Sequence, residues 1–250
     1  MRNCRIFIYT VTQNLEKTIY FNKKENIMID HDLKCIFIHI PRTAGSSLAT
    51  AITQRKKDGE RFDHSARDAK ESKKIHFTVE QAQKTFGMDT WNEYLTFSFV
   101  RNPWDRLVSQ YQWRRAKGER DVAKRDFKEW TKWRWEGWLN WLENPRKVIR
   151  GVPVLGHRDK AVVLTHAFNE IYDEKEKKIL VKWIGRYENL REDLEELCGK
   201  LGIDKDIVLP HKHNAKNRPH YTDFYDDECI EIVRQFYKND VEVLGYKYGE

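Results

Sequence analysis

The chain has 250 residues, 40% of them apolar, enough for one domain with a real core. Gly (12) and Pro (6) are sparse, which excludes collagen-like and Pro/Gly-rich disordered classes. Lys and Arg number 46 against 39 Asp and Glu, a formal charge of +7, and such a surplus first suggests a negatively charged partner such as nucleic acid.

Cys4, Cys35, Cys198 and Cys229 are scattered without a CxxC pair. That argues against a disulfide scaffold and a Cys-based zinc site, and for reduced thiols. No apolar run approaches the ~18 residues of a membrane helix. The short run Ile6–Val11 lacks a cleavage site and reads as a strand, not a signal core. A soluble, cytoplasmic protein is therefore expected. Residues 13–34 are polar and lysine-rich, and Met28 stands just before the first strong strand. The first 27 residues then read either as an add-on or as lying ahead of the true start.

Cys35-Ile36-Phe37-Ile38-His39-Ile40 is the unbroken run of a strand buried on both faces of a parallel sheet. Pro41 ends it, and a helix is expected from about Ser47 to Arg55. Thr78 with Gln81 forms a capping box for a helix that stops near Gly87. Tyr94–Val100 is a second buried strand. Asn102 as N-cap and Pro103 at the first helical position then open a helix to about Lys117. A further strand is expected over Ile179–Gly185, with helices at about 190–201 and 226–238. Alternating strands and helices predict an α/β fold with a central, mainly parallel sheet flanked by helices, whose ligands sit at strand-to-helix turns.

Two such turns carry chemistry. In the first, Arg42-Thr43-Ala44-Gly45-Ser46-Ser47, small residues let backbone N–H groups share a concavity at a helix N-terminus. Arg42 adds charge, and Ser46 and Ser47 add hydroxyls, which suits phosphate or sulfate. GxxxxGK[ST] is absent, so this is not a standard P-loop. In the second, Arg101 stands at the strand tip, and Arg106 and Ser109, three apart, share a helix face. An Arg fork with a hydroxyl also suits a phosphate.

Ile36 through Leu48 closely resembles the first signature of PAPS-dependent sulfotransferases, FxHxPKTxGTS, and Phe99 through Tyr111 resembles their second, RNPxxRxxSxY. Ile184-Gly185-Arg186-Tyr187-Glu188-Asn189-Leu190 is similar to the family's IGRFENL segment, and Leu209 to Tyr225 to its closing LPH…Y segment. The likeness covers about residues 35–247. It is nearest to the carbohydrate-sulfating branch, which includes heparan sulfate 2-O-sulfotransferases and bacterial relatives. It divides the chain into an N-terminal extension (1–34) and a sulfotransferase-like domain (35–250) with a P-loop-like three-layer fold.

The resemblance implies that Arg42, Thr43, Ala44, Gly45, Ser46 and Ser47 hold the 5′-phosphosulfate of PAPS (3′-phosphoadenosine 5′-phosphosulfate). Arg101 and Ser109 would hold its 3′-phosphate, and no metal is implied. The family usually has Lys at the position of Arg42. Arg supplies charge and a fork but does not readily release a proton, so charge stabilisation survives while a proton-donor role does not follow.

The acceptor hydroxyl needs a base, and His suits neutral pH. The resemblance places a catalytic His between the two signatures, which points to His76, with His64 second. His39, beside the first loop, reads as a brace. Six of nine Trp lie between 113 and 141. Trp130, Trp133, Trp138 and Trp141 suit one face of an amphipathic helix. Trp113 and Trp135 are the candidates for a sugar platform, with Arg114 among the cations facing an anionic acceptor.

The basic loop 211–220 contains HxH without a carboxylate or Cys at ligand spacing, and reads as a lid over the donor or a solvated loop. Residues 101–135 carry 11 Lys and Arg against 5 Asp and Glu, so most of the surplus adjoins the proposed donor site. A polyphosphorylated nucleotide and an anionic carbohydrate then account for the charge at least as well as a nucleic acid does. The competing readings are a P-loop-type nucleotide-binding protein or kinase, which would need a Lys-Ser/Thr pair and an acidic Mg²⁺ ligand, a nucleic-acid-binding module using the basic Trp-rich stretch, and an inactive relative that binds the donor.

Overall fold

The computed structural model describes residues 29–53, 78–143 (side chains through 137), 148–149, 152–153, 171–173, 175–203, 209 and 219–250. Ile6–Val11, His64, His76, Arg55 and residues 211–218 lie outside the described residues.

The central sheet has the order β1 (Ile29–Asp30), β2 (Cys35–Ile38), β3 (Leu95–Val100), β8 (Trp183–Arg186). The pairs β2–β3 and β3–β8 are parallel, and only β1, at the edge, pairs antiparallel. Two short antiparallel ladders stand apart from it: β4 (Val148–Ile149) with β5 (Val152–Pro153), and β6 (Tyr172–Asp173) with β7 (Lys178–Ile179). The helices are α1 (Gly45–Thr53), α2 (Val79–Phe86), α3 (Met88–Glu93), α4 (Pro103–Ala116), α5 (Arg120–Ala123), α6 (Phe127–Glu143), α7 (Leu190–Leu201), α8 (Asp227–Phe236) and α9 (Lys238–Leu244).

Period-2 alternation sorts the two central strands into two faces. Phe37, Phe97 and Phe99 join Leu48 and Ile52 of α1 and Leu194, Leu197 and Cys198 of α7 in one apolar cluster. In-register Phe37 and Phe97 stack with ring centres 5.0 Å apart. Ile36, Ile38 and Val100 face the larger cluster built with α2, α4, α6 and α8. The result is a three-layer α/β fold with helices on both faces of a mainly parallel sheet. The buried hydroxyls on the Ile face are satisfied. Ser98 donates to the Ile38 carbonyl (2.8 Å), and Thr96 accepts from the Lys182 N–H (3.0 Å).

The expected capping boundaries are present. Thr78 and Gln81 cap α2 reciprocally, and Gly87 ends it at φ 85°. Asn102 caps α4, with Pro103 in its first turn. Three boundaries differ from expectation. The first strand ends at Ile38 because His39 leaves the sheet to pack over Gly45. The strand expected over 179–185 is divided: Ile179 belongs to β7, and residues 181–182 bend before β8. Lys182 makes that bend fast by donating its side-chain amine to the carbonyls of Asn92 and Tyr94. The last helix is broken at Tyr237 into α8 and α9, where Tyr237 is buried beneath the Arg106 guanidinium.

Gly185 lies opposite Phe99 in the register of β3 and β8. An added Cβ would stand 2.4 Å from Phe99 Cε1 and 2.7 Å from Trp183. Gly185→Ala is expected to cost about 1–3 kcal/mol by overpacking, read as a lower urea midpoint. An unchanged midpoint would show that the two rings move aside freely.

Candidate active site

The first turn is built from strained backbone. Arg42 (φ 71°) and Ala44 (φ 66°) both sit in the left-handed region, which costs a side-chain-bearing residue about 1–3 kcal/mol. Left-handed residues in such a turn direct N–H groups toward one side and form an anion-binding concavity. Thr43 is fully buried and donates its hydroxyl to the Ile40 carbonyl (2.8 Å), closing the turn from beneath. The Ala44 carbonyl accepts from Ser47 and Leu48 and starts α1. Of the first N–H groups of α1, those of Ser47 and Leu48 are taken by the Ala44 carbonyl, and those of Gly45 and Ser46 precede the first helical hydrogen bond.

Gly45 admits no side chain, because a Cβ there would stand 2.0 Å from the imidazole of His39. His39 is itself 7% exposed and stacks on Phe37 at 5.5 Å. It braces the loop, as its place beside the motif suggests.

The second turn leaves β3 one strand away. Asn102 accepts from the N–H groups of Trp104 (3.1 Å) and Asp105 (3.5 Å). Its own backbone N–H donates to Glu188 (2.6 Å), and its side-chain amide donates to the Lys247 carbonyl (3.0 Å). Glu188 also accepts from the Tyr246 hydroxyl (3.1 Å). The segment after β8 and the chain's last residues thus hold this turn in place.

Arg101 donates Nε and Nη2 to Asp105 Oδ2 (2.8 and 2.6 Å) and Nη1 to the Arg42 carbonyl (3.1 Å). Its guanidinium lies 3.7 Å from the centre of the Tyr187 ring. Arg42 donates Nε and Nη2 to the Ser109 hydroxyl (3.2 and 3.0 Å) and stands 5.8 Å from the Trp113 ring centre. Arg42, Arg101, Ser109 and Trp113 are therefore brought together beside the first loop, and Trp113 is 38% exposed there.

Three other residues go elsewhere. Arg106, expected to share the face of Ser109, is buried with its guanidinium 5.0 Å from the Tyr237 ring. Arg114 pairs with Glu119 (3.0 Å) and Asp121 (2.9 Å) and serves the α4–α5 corner. Trp135 is half-buried and packs edge-on against Phe236, because α8 lays its apolar face along α6. Trp130 is fully buried and Trp133 half-buried, consistent with a core-facing stripe on α6.

Asp105, Tyr187 and Glu188 were not singled out from sequence. The i, i+4 spacing of Arg101 and Asp105 could have signalled their pairing. The contacts of Tyr187 and Glu188 depend on β8 lying next to β3.

A sequence model of the Sulfotransferase family matches residues 25–247, and the chain belongs to that family. An uncharacterized protein of Archaeoglobus fulgidus is 25% identical over 122 residues, which are 48% of this chain and 78% of that one. A crystal structure of a sulfotransferase from Alicyclobacillus acidocaldarius aligns over 82% of this chain and 91% of its own, with TM-score 0.42 and 16% identity. None of the described helices is long and apolar enough to cross a membrane.

Buried ionised groups fix the corner behind Ser109 and Trp113. Burial alone would raise the Asp121 pKa. Hydrogen bonds from Arg114 and Trp130 and the charges of Arg114 and Arg134 outweigh it, and hold the carboxyl below its ordinary 3.8. Burial lowers Arg134 to about 10, so it stays charged at neutral pH, with Gln110 as hydrogen-bond partner (3.1 Å). A depressed carboxyl pKa stabilises the fold fully above the unfolded value and stops doing so as pH falls through the folded one. Asp121→Asn is expected to cost about 3–5 kcal/mol at pH 7, as for a broken buried pair. The gap from wild type should narrow in denaturant melts below pH 3.8. A gap independent of pH would remove the charge from this account.

Proposed function

We propose that the chain transfers the sulfuryl group of PAPS to a hydroxyl of a carbohydrate acceptor. The observation that supports this reading most is the direct linkage of two cationic turns at neighbouring strand tips: Arg101 binds the carbonyl of Arg42, and Arg42 binds Ser109. Guanidinium groups, hydroxyls and helix N-terminal N–H groups form a donor set that fits phosphate and sulfate oxygens. The bare Gly45 lets His39 pack directly against the strained turn and brace it. When bound, PAPS supplies an activated sulfuryl group on a phosphate leaving group.

In this reading the chain's residues position and neutralise, as suits a group transfer of this kind. The loop from Arg42 to Ser47 holds the 5′ end of the donor, and Arg42 stabilises the charge that develops there. Ser109 serves the 3′-phosphate, and Arg101, whose nitrogens are engaged by Asp105 and the Arg42 carbonyl, adds positive charge behind it. Trp113 offers its exposed ring to a sugar face beside Arg42. His76, outside the described residues, is the base that takes the acceptor's proton, and His64 is second. Arg114, tied to Glu119 and Asp121, and Trp135, packed on Phe236, contribute to the acceptor side only through the shape of α4 and α6.

Calorimetric titration with adenosine 3′,5′-bisphosphate, the product of the donor, tests the assignment. Binding is expected in the micromolar range or tighter, and its absence at high micromolar concentration would sink the donor reading. His76→Ala is expected to keep that affinity and lose transfer of labelled sulfate to a carbohydrate panel. Full activity of His76→Ala would move the base elsewhere.

A further inference from the structure

We infer that Asp105 is a positioning residue that shapes the 5′ side of the donor cradle from within the second turn, acting through Arg101 on the backbone of Arg42. The inference rests on the donor reading above and adds a coupling between its two ends.

Arg101 is 4% exposed, and its guanidinium is held on three sides. Asp105 takes two N–H groups through one oxygen, Tyr187 covers the face at 3.7 Å, and Nη1 reaches the Arg42 carbonyl. Asp105 is fixed in turn, because it occupies the first turn of α4, whose start is set by the Asn102 cap and Pro103.

The carbonyl that Arg101 grips belongs to a residue in the left-handed region. A peptide in that state persists only where its surroundings hold it. The Arg101 contact is such a restraint, and it lies in a buried place where a charge-assisted hydrogen bond is little screened. The orientation of the Arg42 peptide sets where the next N–H groups of the loop point. The two anion turns therefore form one unit, with the counter-ion in the second turn maintaining the shape of the first.

Without its carboxylate, Asp105→Asn leaves a buried guanidinium lacking its counter-ion, and the grip on Arg42 loosens. Two nucleotides separate this from a role confined to the 3′-phosphate. Adenosine 3′,5′-bisphosphate engages both turns, whereas adenosine 5′-monophosphate engages only the first. Asp105→Asn is expected to weaken the monophosphate about 10-fold or more, the size of a lost hydrogen bond to a charged group, and the bisphosphate as well.

Arg101→Lys keeps a positive charge but cannot hold Asp105 and the Arg42 carbonyl with one planar fork, and should weaken the monophosphate as well. It serves as the second variant should Asp105→Asn not fold. Both titrations are run well below each variant's melting temperature, so reduced stability alone leaves the affinities unmoved. Loss confined to the bisphosphate, or unchanged affinity for both nucleotides in a folded variant, overturns the inference. A wild-type protein that binds neither nucleotide instead defeats the donor reading itself.

Discussion

Cys35–Ile38 and Leu95–Val100 run side by side, in parallel, with Ile38 opposite Ser98. Because parallel neighbours end at the same edge, the loop after β2 and the loop after β3 emerge together. Every feature of the candidate site follows from this adjacency. Residues more than fifty positions apart in sequence come within hydrogen-bond distance, so that Arg101 can grip the Arg42 carbonyl and Arg42 can reach Ser109. The adjacency is stable because both faces of the strands are buried: Phe37, Phe97 and Phe99 on α1 and α7, Ile36, Ile38 and Val100 on the helices opposite. Burying each such side chain contributes about 1.5–3 kcal/mol, which offsets the strain of the left-handed loop.

The positive charge of the chain has two uses that a count does not separate. Residues 101–135 hold the greater part of the surplus, and this stretch forms α4, α5 and the start of α6. Arg101, Arg106 and Arg134 in it are buried, and Arg114 is paired at the α4–α5 corner. Their charges are absorbed by Asp105, Asp121, Gln110 and the rings of Tyr187, Tyr237 and Trp130. Four of the eleven Lys and Arg in this stretch are therefore internal scaffolding and not surface for an anionic partner. A similar correction applies to the tryptophans. Trp130 is core and Trp135 packs against α8, whereas Trp113, one turn beyond Ser109, remains beside Arg42 with part of its ring in solvent.

Fold class, the two turns and the caps were legible in the residues themselves. A β-branched apolar run, a small-residue loop, Thr78 with Gln81, and Asn102 before Pro103 each act over a few residues, where local chemistry decides structure. The division of 179–185 was not legible, because the apolar run continues through Lys182 while the bend depends on carbonyls of Asn92 and Tyr94. At the break, Tyr237 meets Arg106 from a helix more than a hundred residues earlier, a contact no local pattern could announce.

By itself, the sequence determined which residue types stand at the strand tips, and hence that both turns suit anions. Only the tertiary structure decided how those residues are used. Arg42, Arg101 and Arg106 are alike as letters, yet one reaches Ser109, one clamps a neighbouring carbonyl, and one is buried under the last helices. The reason is physical. A guanidinium has five donors and a long, flexible stem, so its role is set by whichever carboxylate, carbonyl or ring the fold brings within about 3–6 Å of it.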